Sequence, residues 1–243
     1  MSSPRSSHTT TAVVVAAGAG RRLGALGQRT SKPMVSLLER PLIDWVLDRL
    51  AAAGIGRCVV VAHPDDVRLQ AHLARRPGIQ LATQPQRRGM ADAIACALPL
   101  VDDDILACAC DSLFPPNDIA GVVTAGRALP AGAALGVLDM GVAATASRSA
   151  VVLDGDRVVD IREKPAPGTV DSPLVGLPLY WLPRSIHPLL QRPPDPGRER
   201  QVSHALAEFI AAGGNVHACR VAERLEITHA EDVAAVEARL RGG

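Results

Sequence analysis

Lysine is nearly absent from this chain of 243 residues, which carries two lysines against 24 arginines. Each lysine precedes a proline, in Lys32-Pro33 and Lys164-Pro165. Because arginine supplies the rest of the positive charge, the two lysines call for a reason of their own. Lysine presents a compact point charge on a flexible stem, whereas arginine presents a planar fork. A point charge suits a phosphoryl group whose geometry changes during reaction, so the two lysines indicate phosphoryl chemistry.

Aromatic residues are also scarce, at 2% of the chain, although apolar residues make up 47%. We therefore expect a sizeable core built from Ala, Val, Leu and Ile, in one large α/β domain or two small ones. The formal net charge of +1 argues against a nucleic-acid binder that relies on a broad basic surface. A small anionic ligand held by a few local charges is compatible with this composition.

The five cysteines and seven histidines lack the spacing of a metal site or a disulfide framework, and nothing resembles a Ser/His/Asp triad. We expect free, buried thiols. No apolar run approaches the roughly 20 residues of a membrane span. The polar first eleven residues lack the apolar core of a signal peptide. We therefore expect a cytoplasmic protein without membrane contact, with a disordered tail over residues 1–11.

Strand-like and helix-like segments alternate along the first half of the chain, which is typical of a parallel βαβ sheet. The elements predicted in this half are strands at 11–17, 58–62, 79–83 and 105–110, helices at 41–53, 65–75 and 90–98, and a helix capped by Asn117. The elements predicted in the second half are strands at 142–153, 157–163, 174–182 and 216–221, and helices near 185–191, 201–212 and 230–240. The pattern predicts a Rossmann-like α/β fold with a mixed, mainly parallel sheet flanked by helices.

A glycine-rich loop, Ala-Ala-Gly-Ala-Gly-Arg-Arg-Leu at residues 16–23, follows the first predicted strand. Glycines let backbone N–H groups approach an anion closely, and Arg21 and Arg22 add positive charge. Leu23 stands where a dinucleotide-binding loop has its third glycine, and the Gly-Lys-Ser/Thr of a P-loop is missing. By itself the loop is compatible with a phosphate cradle and with an ordinary turn.

Lys32 follows Gly20 by twelve residues, in the sequence Ser-Lys-Pro-Met. With the loop, this spacing resembles the signature of the sugar-1-phosphate nucleotidyltransferases, in which G-G-x-G-T-R-L is followed by P-K-P at the same interval. Here Ala17 replaces the first glycine, Arg21 the threonine and Ser31 the first proline. The resemblance is carried by separate motifs over most of the chain, and it implies a nucleotidyltransferase or GT-A-like form of the predicted fold.

The resemblance implies roles for the residues of this first motif. Ala17, Gly18 and Gly20 would hold the triphosphate together with Arg22. Lys32 would lie against the α-phosphate and offset charge as the pentacoordinate state forms.

A second segment, Gln-Pro-Gln-Arg-Arg-Gly-Met-Ala-Asp-Ala at residues 84–93, resembles the family's Q-P-x-x-x-G-L-A-x-A. By this resemblance Gln84 reads the base, because its amide can both donate and accept hydrogen bonds. Gly89 would leave room for the base at the start of the next helix. Asp92 occupies a position that is often polar in the family, and no role is assigned to it.

Asp111 directly follows the predicted strand at 105–110, and ligands bind beyond the carboxyl ends of strands in open α/β sheets. This position favours it over Asp102–Asp104, which precedes the strand. By resemblance to the family's G-D, Asp111 would coordinate a Mg²⁺ ion that bridges the nucleotide phosphates. The family's second metal ligand is an aspartate near the C-terminus, and Glu226 is its best match here.

The sequence Glu-Lys-Pro at 163–165 matches the family's E-K-P. By resemblance Glu163 hydrogen-bonds sugar hydroxyls, Lys164 binds the acceptor's phosphate, and Gly176 lies against the sugar. The chain would then be one domain over 12–243, with a nucleotide-binding half to residue 130 and an acceptor-binding half after it. Lys32 and Lys164 should face one cleft.

We therefore expect a Mg²⁺-dependent enzyme that moves NMP from an NTP to a sugar 1-phosphate and releases pyrophosphate. A cytidylyltransferase for a polyol phosphate, an isoprenoid-precursor phosphate or a phosphonate fits nearly as well. A glycosyltransferase would need a D-x-D that Asp111-Ser112-Leu113 does not provide. A non-catalytic nucleotide-sugar sensor would keep the base pocket without releasing pyrophosphate. The sequence identifies neither base nor acceptor, and it leaves homo-oligomerisation open.

Overall fold

The computed structural model describes residues 10–242, in which a nine-stranded sheet forms the centre. The strands are β1 Thr11–Val15, β2 Ser36–Leu37, β3 Arg40–Pro41, β4 Arg57–Ala62, β5 Ile79–Thr83, β6 Ile105–Ala109, β7 Ser112–Leu113, β8 Ala133–Asp139, β9 Ser149–Asp154, β10 Arg157–Glu163, β11 Leu174–Leu182, β12 Val216–Arg220 and β13 Leu225–Glu226. Of the tail expected at 1–11, residues 1–9 lie outside the described part, and Thr11 already begins β1.

Helices follow or separate these strands throughout the described chain. The α-helices are α1 Ala25–Arg29, α2 Leu42–Ala52, α3 Val67–Leu73, α4 Met90–Ala97, α5 Pro116–Ala128, α6 Val142–Thr145, α7 His187–Leu190, α8 Val202–Ala211 and α9 Asp232–Arg241. Short 3-10 helices lie at Arg21–Leu23, Lys32–Met34, Leu98–Leu100 and Arg184–Ile186. No helix within residues 10–242 is both long enough and apolar enough to cross a membrane.

The strand order of the main sheet is β5-β4-β1-β6-β11-β8-β12-β10-β9. Strands β5, β4, β1 and β6 run parallel to one another, whereas β11 is antiparallel to both β6 and β8. The pairing of β6 with β11 carries the sheet into the second half of the chain, where β12 pairs in parallel with β8 and β10 pairs antiparallel with both β12 and β9. The prediction of a mixed, mainly parallel sheet flanked by helices is confirmed.

Strand β1 is buried on both faces, as its continuous apolar run predicts for the centre of a parallel sheet. Val14 points into a core with α2, α3, α5 and α9, and Val13 points into a second core with α4, α7 and α8. Neither valine side chain is exposed to solvent. The helices therefore cover both faces, and the carboxyl ends of the strands are left as the open edge.

In the second half of the chain one predicted strand was wrong in its bounds and another strand was not predicted. The strand predicted at 142–153 begins only at Ser149, because residues 142–145 form the single helical turn α6, in which Thr145 Oγ1 donates to Val142 O. Strand β8 was not predicted at all, since its Ala- and Gly-containing sequence has little intrinsic preference for strands. It is held in the sheet by β11 and β12, which lie far along the chain.

Two predicted helix starts also differ from the structure. Helix α5 begins at Pro116, so that Asn117 lies within its first turn instead of capping it. Pro41 is the residue before α2 instead of its first helical residue.

A small second sheet returns the C-terminal part of the chain to the open edge. Strand β13 pairs with β7, which places Glu226 opposite Ser112, and the N–H of Ile227 donates to the carbonyl of Asp111 at 3.0 Å. Because Asp111 lies two residues after the end of β6, this pairing brings Glu226 to the carboxyl end of the central strands.

Candidate active site

A cleft of about 560 Å³ lies beyond the carboxyl ends of β1 and β6. Every residue that the sequence assigned to the site lines this cleft: Ala17, Gly18, Gly20, Arg22, Lys32, Gln84, Gly89, Asp111, Glu163, Lys164, Gly176 and Glu226. The two lysines of the chain therefore face the same space.

The glycine-rich loop enters the cleft directly from β1. Its start is anchored by a hydrogen bond from the N–H of Ala16 to the carbonyl of Val61, at 2.8 Å. Gly20 takes the left-handed φ of +60°, and a Cβ there would contact Lys32. The N–H groups of residues 17–20 make no hydrogen bond to any other residue that the structure describes. They are free to bind an anion.

Lys32 and Asp111 form an ion pair within the cleft, with Nζ 2.6 Å from Oδ2. The other oxygen, Oδ1, accepts a hydrogen bond from Ser112 Oγ at 3.0 Å. Burial by itself would raise the pKa of Asp111, but the ammonium of Lys32, the charge of Arg224 and the hydrogen bond from Ser112 together outweigh burial and hold that pKa below its usual value. Asp111 is therefore a carboxylate at neutral pH.

Two arginines that the sequence did not single out, Arg148 and Arg224, also line the cleft. Arg224 donates to Ser112 Oγ through Nε and Nη2, at 3.0 and 2.9 Å, and pairs with Glu226 Oε1 at 2.9 Å. Arg148 Nη1 lies 3.0 Å from Glu226 Oε2. Burial lowers the pKa of Arg224, and the negative charges of Glu226 and Asp111 act against this lowering. The sequence carried no signal for either residue, because arginine is the ordinary surface cation of this chain.

Gln84 follows β5 and is 3% exposed. Its Nε2 donates to the carbonyl of Gly89 at 3.1 Å and to Asp92 Oδ2 at 2.7 Å. Arg88 in turn contacts Asp92 Oδ1, through Nε at 3.0 Å and Nη2 at 2.7 Å. The segment is tied to the glycine-rich loop by Arg87, whose Nε donates to Ala17 O at 2.9 Å.

Gly89 is required by a contact with another part of the chain. A Cβ at Gly89 would lie 2.3 Å from the carbonyl oxygen of Arg200, and its φ is +103°. The N–H of Arg200 donates to Arg88 O at 2.8 Å, and the N–H of Ala91 donates to Arg200 O at 3.1 Å. The side of Gly89 on which a Cβ would project is therefore filled by this backbone, while Gly89 itself lines the cleft.

The residues to which the resemblance assigns the acceptor lie at the end of β10 and near the start of β11. Glu163 Oε2 accepts from Ser149 Oγ at 2.5 Å and from Ser203 Oγ at 2.8 Å. Lys164 makes no ion pair with a residue in the described range, and its N–H donates to the carbonyl of Arg148 at 2.9 Å. Gly176 lies in β11 and lines the cleft. A cationic side chain without a carboxylate partner is available to an anionic ligand.

The two proposed metal ligands can be compared with what Mg²⁺ requires. Among residues 10–242 no group of three or more His, Cys, Asp or Glu side chains could hold a metal by itself. Mg²⁺ usually takes one or two carboxylates from a protein and completes its shell with waters and substrate phosphates. Asp111 and Glu226 line one cleft and would supply these two carboxylates. Their chemistry therefore fits a Mg²⁺ site that depends on bound phosphates.

Comparisons with known proteins agree with this geometry. The model of the MobA-like NTP transferase domain matches residues 12–209. The chain is 28% identical to the UTP--glucose-1-phosphate uridylyltransferase AglF of Haloferax volcanii, over 95% of this chain and 96% of that protein.

Two solved structures show the same fold. The UTP-bound UGPase from Acinetobacter baumannii has a TM-score of 0.80 and 22% identity, over 95% of this chain and 93% of that one. A UDP-glucose pyrophosphorylase complexed with UDP-glucose has a TM-score of 0.83 and 16% identity, over 96% of this chain and 98% of that one.

Proposed function

This chain belongs to the MobA-like NTP transferase domain family, and on that basis we propose that it transfers NMP from an NTP to a sugar 1-phosphate and releases pyrophosphate. The observation that carries the proposal is that Lys32, paired with Asp111, and Lys164 face one cleft. The name of the Haloferax relative supports a sugar 1-phosphate as the acceptor over the non-sugar phosphates that the sequence left open.

In the proposed reaction a phosphate oxygen of the acceptor attacks the α-phosphorus of the NTP in line. A new P–O bond forms, the bond from the α-phosphorus to the oxygen that bridges it to the β-phosphate breaks, and pyrophosphate leaves. Such a reaction needs no protein nucleophile, since positioning and charge stabilisation supply most of the catalysis.

The nucleotide side of the cleft would be formed by the glycine-rich loop. The free N–H groups of residues 17–20 and the side chain of Arg22 would hold the triphosphate. Lys32 would move its ammonium group from Asp111 to the α-phosphate, where negative charge builds up in the transition state.

The acceptor side would use Glu163 and Lys164. Ser149 and Ser203 hold one oxygen of Glu163, which leaves the other to accept from sugar hydroxyls. Lys164 would bind the acceptor's phosphate, with Gly176 in β11 lying beside the sugar. We propose the division into a nucleotide-binding half, 12–130, and an acceptor-binding half, 131–243, with Glu226 returning to the nucleotide side.

Asp111 and Glu226 would hold a Mg²⁺ ion, which when bound would neutralise charge on the nucleotide phosphates. The ion pairs of Glu226 with Arg148 and Arg224 fix the direction of its carboxylate. We further propose that the protein acts in the cytoplasm.

The test is pyrophosphate release by the purified chain with each of the four NTPs, Mg²⁺ and glucose 1-phosphate, with the nucleotide sugar identified by mass spectrometry. Lys32→Ala and Asp111→Ala should each lose most of the activity. Arg75→Ala, which changes an exposed arginine outside the cleft, is the matched control. Near-normal turnover in both folded variants would contradict the proposal.

A further inference from the structure

We propose that Asp92 is a positioning residue that makes Gln84 accept, and not donate, a hydrogen bond towards the bound base. The cleft would then select a pyrimidine with a ring N–H, uracil or thymine, over cytosine. This inference rests on the proposed function, since it names the nucleotide that the site would take.

The two hydrogens of the Gln84 amide are both used within the protein. Nε2 lies 3.1 Å from the carbonyl of Gly89 and 2.7 Å from Oδ2 of Asp92. A backbone carbonyl and a carboxylate can only accept hydrogen bonds. The atom that faces them must therefore be the amide nitrogen, and Oε1 is left as the part of the amide that can meet a ligand.

The orientation of the Gln84 amide is fixed by Asp92 and Arg88, which lie on the side away from the cleft. Asp92 is 9% exposed, and its Oδ1 is contacted by Arg88 through both Nε and Nη2. If the Gln84 amide turned over, its oxygen would face two acceptors in a buried place, and a buried polar group without a partner is costly. The amide is thus locked in one of its two orientations.

Asp92 exerts this effect without reaching the ligand. Gln84 and Gly89 line the cleft, whereas Asp92 lies behind them in α4 and does not line it. A change at Asp92 should therefore alter what Gln84 offers to the base while leaving the cleft wall in place. Asp92 is on this argument a positioning residue and not a catalytic one.

The pyrimidine bases differ at the atom that an accepting oxygen would meet. Uracil and thymine carry a hydrogen on ring atom N3, which Oε1 can accept. Cytosine carries a lone pair on N3, which would face Oε1 as a second acceptor, and its amine lies to one side. A fixed acceptor therefore favours uracil or thymine, whereas an amide free to turn over could serve either kind of base.

The experiment compares kcat/KM for UTP and CTP, with glucose 1-phosphate as the acceptor, in the natural protein and in Asp92→Asn. The natural protein should prefer UTP by at least about tenfold, the lower part of the range for one well-made base contact. In Asp92→Asn that ratio should fall about tenfold, because an asparagine amide can donate to the oxygen of a turned Gln84, which then faces one acceptor, the Gly89 carbonyl, instead of two. Asp102→Asn, the same change at an exposed aspartate, should leave the ratio unchanged.

Arg88→Met provides a second variant in case Asp92→Asn does not fold. Arg88 is half exposed, so its loss should leave the fold intact while loosening Asp92, and the ratio should fall in the same direction. Equal activity of the natural protein with UTP and CTP would overturn the inference. So would a variant that loses both activities in equal proportion, because that is the result of a merely structural role.

Nucleotide binding separates this inference from the proposed function. If no NTP supports pyrophosphate release, the proposed function fails, but dissociation constants for UTP and CTP measured by calorimetry still test the role of Asp92. A UTP preference in binding that Asp92→Asn reduces would uphold the inference. The absence of a preference, or of binding by either nucleotide, would overturn it.

Discussion

The ammonium of Lys32 lies 2.6 Å from a carboxylate oxygen of Asp111, although 79 positions separate the two residues in the chain. Lys32 begins a turn of 3-10 helix after the glycine-rich loop, and Asp111 follows the central strand β6. The pair joins the two segments to which the family resemblance assigns the nucleotide's phosphates. The cleft therefore holds a cation and an anion side by side, and each can exchange its partner for a phosphate or a metal ion.

We expect Lys32→Ala to lower kcat by about 10²–10³, the loss measured when one donor to a transition-state oxyanion is removed. The reason is that charge develops on the α-phosphate where the ammonium would lie. Stopped-time assays of pyrophosphate release would measure the change, with Arg75→Ala as the control. A kcat within a factor of two of the natural protein would remove Lys32 from the chemistry.

Lys164→Ala should act on the acceptor instead of the nucleotide. We expect the KM for glucose 1-phosphate to rise by about tenfold or more, the cost of losing one hydrogen bond to a charged group. The KM for the NTP and the unfolding temperature should change little, because Lys164 makes no ion pair with any residue that the structure describes. Steady-state kinetics with each substrate varied in turn would check this, and an equal rise in both KM values would contradict it.

Removal of divalent metal with EDTA should abolish turnover, and Mg²⁺ should restore it. In Glu226→Gln the Mg²⁺ concentration for half-maximal rate should rise at least as much as the roughly 10–100-fold caused by loss of an outer-shell partner. Glu223→Gln, three positions away in an ion pair with Arg239, is the control. An unchanged Mg²⁺ titration in Glu226→Gln would show that this carboxylate does not bind the metal.

Gly89→Ala should destabilise the protein. Its Cβ would lie 2.3 Å from the carbonyl of Arg200, and the φ of +103° strains any residue other than glycine, which alone costs about 1–3 kcal/mol. In Gly121→Ala, a change in the exposed part of α5 where a Cβ meets nothing within 4 Å, stability should rise by about 0.5–1 kcal/mol. Urea unfolding of both variants would measure the change in the free energy of unfolding, which should be negative for Gly89→Ala and positive for Gly121→Ala. A Gly89→Ala variant as stable as the natural protein would mean that Arg200 does not pack there.

Cys58 should resist alkylation in the folded protein. Burial raises the pKa of its thiol to about 12, so at pH 8 only about one molecule in 10⁴ carries the reactive thiolate. Treatment with iodoacetamide at pH 8 followed by mass spectrometry would show Cys58 unmodified in the native protein and modified in denaturant. Modification at the same rate in both conditions would contradict the burial of Cys58 in strand β4.

The predictions made from the sequence succeeded best where neighbouring residues decide the structure. The apolar run of β1 marks a strand buried on both faces, and β5 was predicted with its observed bounds. Asp111 could be placed at the open edge because it follows a buried strand, and parallel strands share that edge. The family resemblance, carried by short motifs, predicted before the structure that Lys32 and Lys164 face one cleft, and both line it.

Predictions were missing or wrong where contacts between distant segments of the chain determine the structure. Strand β8 has no strong strand propensity and exists because β11 and β12 pair with it. Arg148 and Arg224 look like any other arginine of the chain, and only the return of β13 to β7 brings Arg224 beside Ser112 and Glu226. Similarly, nothing near Asp92 in the sequence indicates that its carboxylate holds the amide of Gln84.

By itself the sequence determined the alternation of strands and helices, the buried centre of the sheet and the residue types in the cleft. These depend on hydrophobic periodicity and on short motifs, which act over a few positions. Only the tertiary structure decided which atoms of those residues are free. Lys32 and Gln84 each have polar atoms held by a partner, and Gly89 meets the backbone of Arg200. Such contacts are made by packing between segments far apart in the chain, and local sequence patterns therefore do not predict them.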